Sequence, residues 1–309
     1  MDPLNSQPNE KRDRGFVLVL VLWSVILLAL MAAGFSASVR AYLRSVTTDK
    51  EIVRAEAAAD GGINLALMDL ATSRKKDVSQ SRFAADGSTA ACQMPDGGVI
   101  AIRIEDEAGK VNLNLANAAL LETVFAGAGA SADQASAYAA AVLDFRDGDA
   151  DRRPNGAERD DYVTAGVLAR PKDGPFDTVD ELDQVLSLPP EFLDQLKPYA
   201  TVHSGLSGID LTLAAPGLRA IFEAAPLQSA TGGIDGGGQR AEFAARSNDR
   251  AYTIHALARL SSGVQYASKA IVEFPERFQQ RYQLRQWRRG SARDVLGGFS
   301  LDETALPPC

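Results

Sequence analysis

The chain has 309 residues, 46% of them apolar and 23% charged, with a net charge of −8. That balance excludes a disordered chain and argues against a general nucleic-acid binder, whose phosphate-facing surface must be basic. The two histidines, His203 and His255, stand beside no recognisable nucleophile or metal spacing, which speaks against an enzyme.

The first element follows a basic leader, in which Lys11, Arg12 and Arg14 precede Gly15. From Phe16 to Val39 no residue is charged, and Ser24, Ser36 and Ser38 are the only polar ones. A bilayer needs about 20 apolar helical residues, whereas a cleaved secretory peptide has an apolar stretch of about 7–15. The run therefore reads as a membrane span, although Ala32, Ala33, Gly34 and Ala37 could mimic a signal-peptidase site. Arg40 and Arg44 beyond the span make the positive-inside signal weak, and the short leader favours a cytoplasmic N-terminus. From Arg40 to Arg74 there is no proline and many good helix formers, so the helix is expected to continue. Val46, Val53, Ile63, Leu67 and Leu70 would form its buried face, and Gly61–Gly62 its weak point, at about 1 kcal/mol per glycine.

Gly97–Asn117 reads as a strand, a polar turn and a second short strand. Ala241–Leu260 and Val264–Phe274 read as antiparallel strands joined at Ser261–Gly263. Between these β regions lie expected helices at Ala116–Ala126, Ser131–Asp144, Thr178–Leu186 and Glu191–Tyr199. Asp147, Asp149, Asp151 and Glu158 occupy positions one, three, five and twelve of a calcium loop, with Asp160 and Asp161 in reserve. Arg152 stands at the sixth position, where such a loop needs glycine, so a standard EF-hand is not expected, but another Ca²⁺ loop of oxygen ligands is. The pair Phe176–Val202 looks like a helix-hairpin-helix with a capping box of Thr178 and Glu181. Its hairpin, Leu188-Pro189-Pro190, lacks two backbone donors, and Asp144–Asp194 holds 14 acidic and 6 basic residues, so DNA would be repelled. Gly232–Gly238 reads as a flexible loop. Arg277, Arg281, Arg285 and Arg289 recur every four residues and suggest a basic helical stripe, either solvated or docking on an acidic partner or anionic lipid. If the bulk of the chain lies outside the cytoplasm, Cys92 and Cys309 could pair; the alternative is two unpaired thiols.

A basic leader ending in glycine, then Phe16, then an apolar helix running into an amphipathic one resembles the class III signal of type IV pilins and type II secretion pseudopilins. The resemblance implies cleavage by a prepilin peptidase between Gly15 and Phe16, N-methylation of Phe16, and retention of the apolar run. Leu20 stands where most of that family has a glutamate that pairs with a neighbouring subunit's amine, which implies a place at the tip. "DEAGKVNLN" at Asp106–Asn114 and "DFRDGDADRRPNGAERDDY" at Asp144–Tyr162, in this element order, resemble the K subunit of the type II secretion system from Gly15 to about Phe274. The resemblance implies an α+β, pilin-like fold with a long N-terminal transmembrane helix, an antiparallel sheet and a large inserted α-helical domain that binds Ca²⁺.

The expected organisation is a leader at 1–15, an assembly helix at 16–39, and a pilin-like helix with first strands at 40–115. The inserted domain follows at 116–205, return strands at 206–274 and a basic tail at 275–309. Implied partners are the I and J minor pseudopilins, the major pseudopilin, the prepilin peptidase, the inner-membrane assembly platform and the lipid bilayer, with no nucleic acid. The implied location is the bacterial inner membrane, single-pass with the bulk periplasmic, and later the tip of the pseudopilus. The alternatives are a minor pilin of a type IV pilus and a membrane-anchored helix-hairpin-helix binding module.

Overall fold

The computed structural model describes residues 10–73, 81–224, 243–275, 282–291 and 306–309. The chain divides into two units, Met1–Arg54 and Ala55–Cys309, and the helix α1 (Glu10–Ser73) contributes to both. In the first unit, Phe16–Arg40 is long and apolar enough to cross a membrane, and its side chains are exposed. At about 1.5 Å per residue it reaches well beyond a hydrocarbon core of about 30 Å.

In the second unit α1 buries Ala55, Ala59, Ile63, Ala66, Leu67 and Leu70, a 3.6-residue stripe. The stripe starts later than the sequence suggests, because Val46 and Val53 are exposed and only the residues from Ala55 onward meet a sheet. Gly62 has a packing role beside its cost to helix propensity. A Cβ on Gly62 would lie 2.9 Å from Ile100 Cγ2 and 3.0 Å from Ala256 Cβ, so glycine there is what lets helix and sheet approach.

The sheet has five antiparallel strands in the order β1 (Asp86–Gln93), β2 (Val99–Asp106), β5 (Ala251–Arg259), β6 (Gln265–Glu273) and β7 (Gln283–Gly290). Ile100, Ile102 and Ile104 of β2, Tyr252, Ile254, Ala256 and Ala258 of β5, and Ala270 and Val272 of β6 share the core under α1. Period-two alternation sends Arg103, Glu105, Thr253, His255 and Lys269 to the opposite face. Between β5 and β6, Gly263 takes a positive φ of 86° and closes the turn onto Leu260.

The return strands do not end at Phe274, and the basic tail is not a helical stripe. Residues 283–290 form the edge strand β7, while Arg277 and Arg281 lie outside the described residues. Trp287 packs on the core under α1, and Arg289, two residues on, lies on the same face of the strand and reaches the same helix. The acidic partners of Arg285, Arg288 and Arg289 lie in the chain itself. Arg289 pairs with Asp60 at 2.8 Å and Glu56 at 3.4 Å on α1, Arg285 pairs with Glu273 at 2.7 Å, and Arg288 pairs with Asp180.

At the other edge, Cys92 of β1 is disulfide-bonded to Cys309. Gln93 donates to the Pro307 carbonyl at 2.8 Å and accepts from Cys309 N–H at 3.0 Å, which covers part of an edge strand's unpaired backbone.

Everything from Glu107 to Arg250 is inserted between the neighbouring strands β2 and β5. At its neck, β3 (Val111–Asn112) pairs in parallel with β4 (Ala200–Thr201). Beyond the neck lie α2 (Ala118–Gly127), α3 (Ala132–Arg146), α4 (Arg159–Thr164), a 3-10 turn (Val179–Gln184), α5 (Pro190–Leu196) and α6 (Pro216–Ala224). Their core gathers Leu120, Phe125, Phe145, Tyr162, Leu182 and Leu196, and it also takes in Val111, Ile209, Leu218 and Phe243 from outside 116–205.

Candidate functional site

The neck shows what the DEAGKVNLN stretch does. Asp106 accepts from Ala108 N–H at 2.8 Å and Ser247 Oγ at 2.5 Å. Glu107 is fully enclosed, yet Lys110 Nζ at 2.7 Å, Thr253 Oγ1 at 2.6 Å and Thr201 Oγ1 all donate to it. Burial alone would push its carboxyl up; Lys110 and the two hydroxyls hold it below the usual range. Gly109 has no room for a Cβ because the Leu213 carbonyl lies 2.6 Å from where it would stand. Asn112 donates to Ser204 Oγ at 3.1 Å, and Asn114 exchanges two hydrogen bonds with the Phe176 backbone at 2.9 and 2.7 Å. The motif is therefore the hinge plate of the insertion, joining β2, both neck strands and the distant Phe176.

The acidic loop leaves α3 at Asp147 and ends at Glu158, which precedes α4. Ligand oxygens of Asp147, Asp149 and Glu158 all lie within 4.8 Å of one another. Asp147 Oδ1 and Glu158 Oε1 are buried and have no hydrogen-bond partner. Burial, with Asp144, Asp147, Asp173 and Asp149 nearby, pushes the Glu158 carboxyl above its ordinary value. Three hard carboxylates with two orphaned oxygens are the donor chemistry of a divalent cation such as Ca²⁺, so these residues fit one.

The other three expected ligands stand outside the cluster. Asp151 is exposed and only its backbone N–H reaches Asp149, at 2.9 Å. Asp160 is exposed on the first turn of α4. Asp161 accepts from Glu158 N–H at 2.9 Å and pairs with Arg152 at 2.9 Å, which also accounts for the arginine at the sixth loop position. Two residues not picked out in the sequence shape the loop instead. Fully buried Asp144 holds Arg153 at 2.6 Å, and Gly156 is required because a Cβ there would overlap the Asp144 carboxylate. The Asn155-Gly156 pair, with Asn155 at a positive φ of 63°, was the available turn signal.

The expected helix-hairpin-helix is a 3-10 turn followed by the seven-residue α5, with Ser187 at a φ of 69° ahead of the two prolines. Leu182, Val185, Leu188, Leu193 and Leu196 all face the insertion's core. The histidines sit in structural pairs. His203 Nδ1 lies 2.8 Å from Glu273 Oε1, and His255 Nε2 lies 3.6 Å from Glu105. In the first unit, Phe16 and Leu20 are exposed along α1, and Ser24 Oγ donates to the Leu20 carbonyl at 2.8 Å.

Residues 103–205 match the family model of type II secretion system protein K, a span that starts in β2, crosses the neck and closes after β4. The matched segment is 103 of the 309 residues. The K segment thus contains the hinge plate, the acidic loop and most of the helical core. A chain in the crystal structure of the GspK-GspI-GspJ complex from the type 2 secretion system of enterotoxigenic Escherichia coli is similar over 80% of this chain and 99% of its own length. That likeness has a TM-score of 0.60 at 14% identity, and it bears out an α+β fold for the K segment and the sheet around it. No curated protein matches the sequence.

Proposed function

We propose that the chain is a minor pseudopilin of a type II secretion system, a non-enzymatic assembly subunit that works with I- and J-type subunits. The observation that carries this reading is the protein K segment inserted into a small antiparallel sheet whose covering helix continues from an apolar span. The partners follow from the GspK-GspI-GspJ complex named for the similar structure. In this reading a prepilin peptidase cuts between Gly15 and Phe16, and Phe16–Val39 serves as a single-pass inner-membrane anchor with the head in the periplasm. The span then becomes an assembly helix among the major pseudopilin and the inner-membrane platform. Leu20 removes the carboxylate that would pair with a subunit above, which suits the tip. Mass spectrometry of the native N-terminus tests this, with N-methylated Phe16 as the expected result. An intact leader, or a cut near Ser38, would overturn it.

The reading includes a calcium-dependent insertion. Asp147, Asp149 and Glu158 would hold Ca²⁺, which would neutralise a loop that otherwise keeps orphaned carboxylate oxygens. A site filled to about 100 times its Kd stabilises the fold by about 2.7 kcal/mol. Ca²⁺ should therefore raise the Tm of the full chain in detergent, and Glu158→Gln should abolish most of that rise. An equal rise in the variant would rule this site out.

A further inference from the structure

Between 116 and 205 the chain carries sixteen acidic and seven basic residues, and five of the basic ones are engaged. Arg146 donates to the Ala116 carbonyl at 2.7 Å, Arg152 pairs with Asp161, and Arg153 pairs with Asp144 and Asp147. Lys172 is shared by Asp177 and Glu181 at 2.6 and 2.7 Å, and Lys197 pairs with Asp183 at 2.7 Å. Arg159 and Arg170 have no ion-pair partner among the described residues, although acidic groups surround them in sequence. Both line the same open cleft of about 470 Å³, together with Pro171, Lys172, Asp173, Glu181 and Gln184.

The segment joining these two arginines is the most exposed apolar stretch of the insertion. α4 starts at Arg159 and presents Val163 at 72% exposure; the following loop turns at Gly166, with a positive φ of 69°, and presents Val167 and a fully exposed Leu168 before reaching Arg170. Val163, Val167 and Leu168 take no part in the insertion's core, whereas Ala169 between them and Arg170 packs against it. The cleft itself holds three cations against two carboxylates, and Glu181 is already occupied by Lys172 and by the Thr178 N–H at 3.1 Å. Asp173 opposes an incoming anion, but its field also falls on Glu158, on the acidic-loop side.

We infer that this cleft and its apolar rim are a docking site for a polypeptide segment that presents a carboxylate flanked by aliphatic residues. Arg159 and Arg170 receive the carboxylate, and Val163, Val167 and Leu168 receive the aliphatic neighbours. Guanidinium forks match a planar carboxylate in charge and geometry, and an apolar rim excludes water from such a contact. The site goes beyond the assembly role proposed above and does not depend on the leader or on Ca²⁺.

The test is a titration of the full chain in nonionic detergent with a fluorescent acetylated hexapeptide alternating leucine and glutamate. Its leucine/glutamine counterpart is the neutral control. The acidic peptide should bind, the neutral one at least tenfold more weakly, and Arg159→Gln with Arg170→Gln should weaken the acidic peptide at least tenfold. Lys197→Gln, which removes a paired cation elsewhere on the insertion, should leave binding unchanged. An unchanged Tm in the double variant shows that the fold survives. Equal binding of both peptides, no binding by the wild-type chain at millimolar peptide, or binding only of soluble dihexanoyl phosphatidylglycerol would each overturn the proposal.

Discussion

Where α1 lies on the sheet, the shared core holds Ala59, Ile63, Ala66 and Leu67 with Ile100, Ile102, Ala256 and Ala270, small or branched side chains with no polar atoms. The insertion packs differently, around Phe125, Tyr138, Phe145, Phe176 and Phe192, and it is fastened to the sheet by buried charge at the neck. Aliphatic surfaces tolerate sliding, because dispersion is non-directional, whereas a buried ion pair with two hydroxyl donors has one geometry. The difference teaches that the helix-on-sheet half is held by non-directional burial, and the neck fixes the insertion's placement on it. The exposed carboxylates, arginines and apolar rim then belong to a part that is held rigidly at its root.

The neck is the place where one substitution should do most harm. Glu107→Ala leaves Lys110 sharing only Glu105, at 3.1 Å, and strips the acceptor from Thr201 and Thr253. Breaking a buried pair this way costs about 3–5 kcal/mol. By contrast, Ile102→Val under α1 removes one methylene for about 0.5–1.5 kcal/mol. Denaturant unfolding of both variants measures the contrast, and similar losses would dissolve the distinction between the two cores.

The disulfide belongs to the sheet half and comes next in size. It closes a sequence separation of 217 residues, and its removal by Cys92→Ser should cost about 2–5 kcal/mol. Because Gln93 N–H donates to Pro307, its amide should also exchange with deuterium faster in the variant. Unaltered exchange there would mean that residues 306–309 hold to β1 without the covalent bond.

On the face of the sheet away from α1, His255 is packed among Arg103, Glu105, Lys110 and Lys269. Burial outweighs Glu105 and lowers its pKa to about 4. Between that value and the ordinary one of about 6.5, the unfolded chain binds a proton that the folded chain refuses, so stability falls as pH drops through this window. The loss is on the order of 2–3 kcal/mol by pH 4. Asp106 acts in the opposite sense, because burial raises it to about 6 and its protonation favours the folded state as pH falls from about 6 to 4. The difference in unfolding free energy between wild type and His255→Gln, followed from pH 7 to 4, isolates the histidine. A flat difference would contradict its buried neutral state.

The two halves also differed in how far they could be read in advance. The long helix was legible because its formers and the lack of proline are local properties, and β2, β5 and β6 were legible from alternating apolar residues. β1 was not, because DGSTAACQ is a partly exposed edge strand of small and polar residues. β7 was misread because arginines spaced by four imitate a helix, and only their partners at Asp60, Glu273 and Asp180 reveal the strand. In the acidic loop, spacing found the carboxylates but could not say that Asp161 would turn to Arg152 while Glu158 turned inward. The cleft of Arg159 and Arg170 was invisible, because an unpaired arginine is defined by what its neighbours do.

The smallest effect is the most discriminating, since Gly61 and Gly62 are adjacent in one helix and look alike in sequence. A Cβ on Gly61 meets nothing within 4 Å, so Gly61→Ala should gain about 0.5–1 kcal/mol from helix propensity alone. Gly62→Ala gains the same propensity, but its methyl must displace Ile100 Cγ2 at 2.9 Å and Ala256 Cβ at 3.0 Å. Ala256 Cβ is fixed to the backbone of β5 and Ile100 is β-branched, so neither can swing away without moving a strand. Overpacking of this kind costs about 1–3 kcal/mol, which leaves Gly62→Ala a net loss of about 1 kcal/mol. Opposite signs for the two neighbours, measured by thermal unfolding, are the expected outcome. Two gains would mean that α1 rides higher on the sheet than its small residues imply.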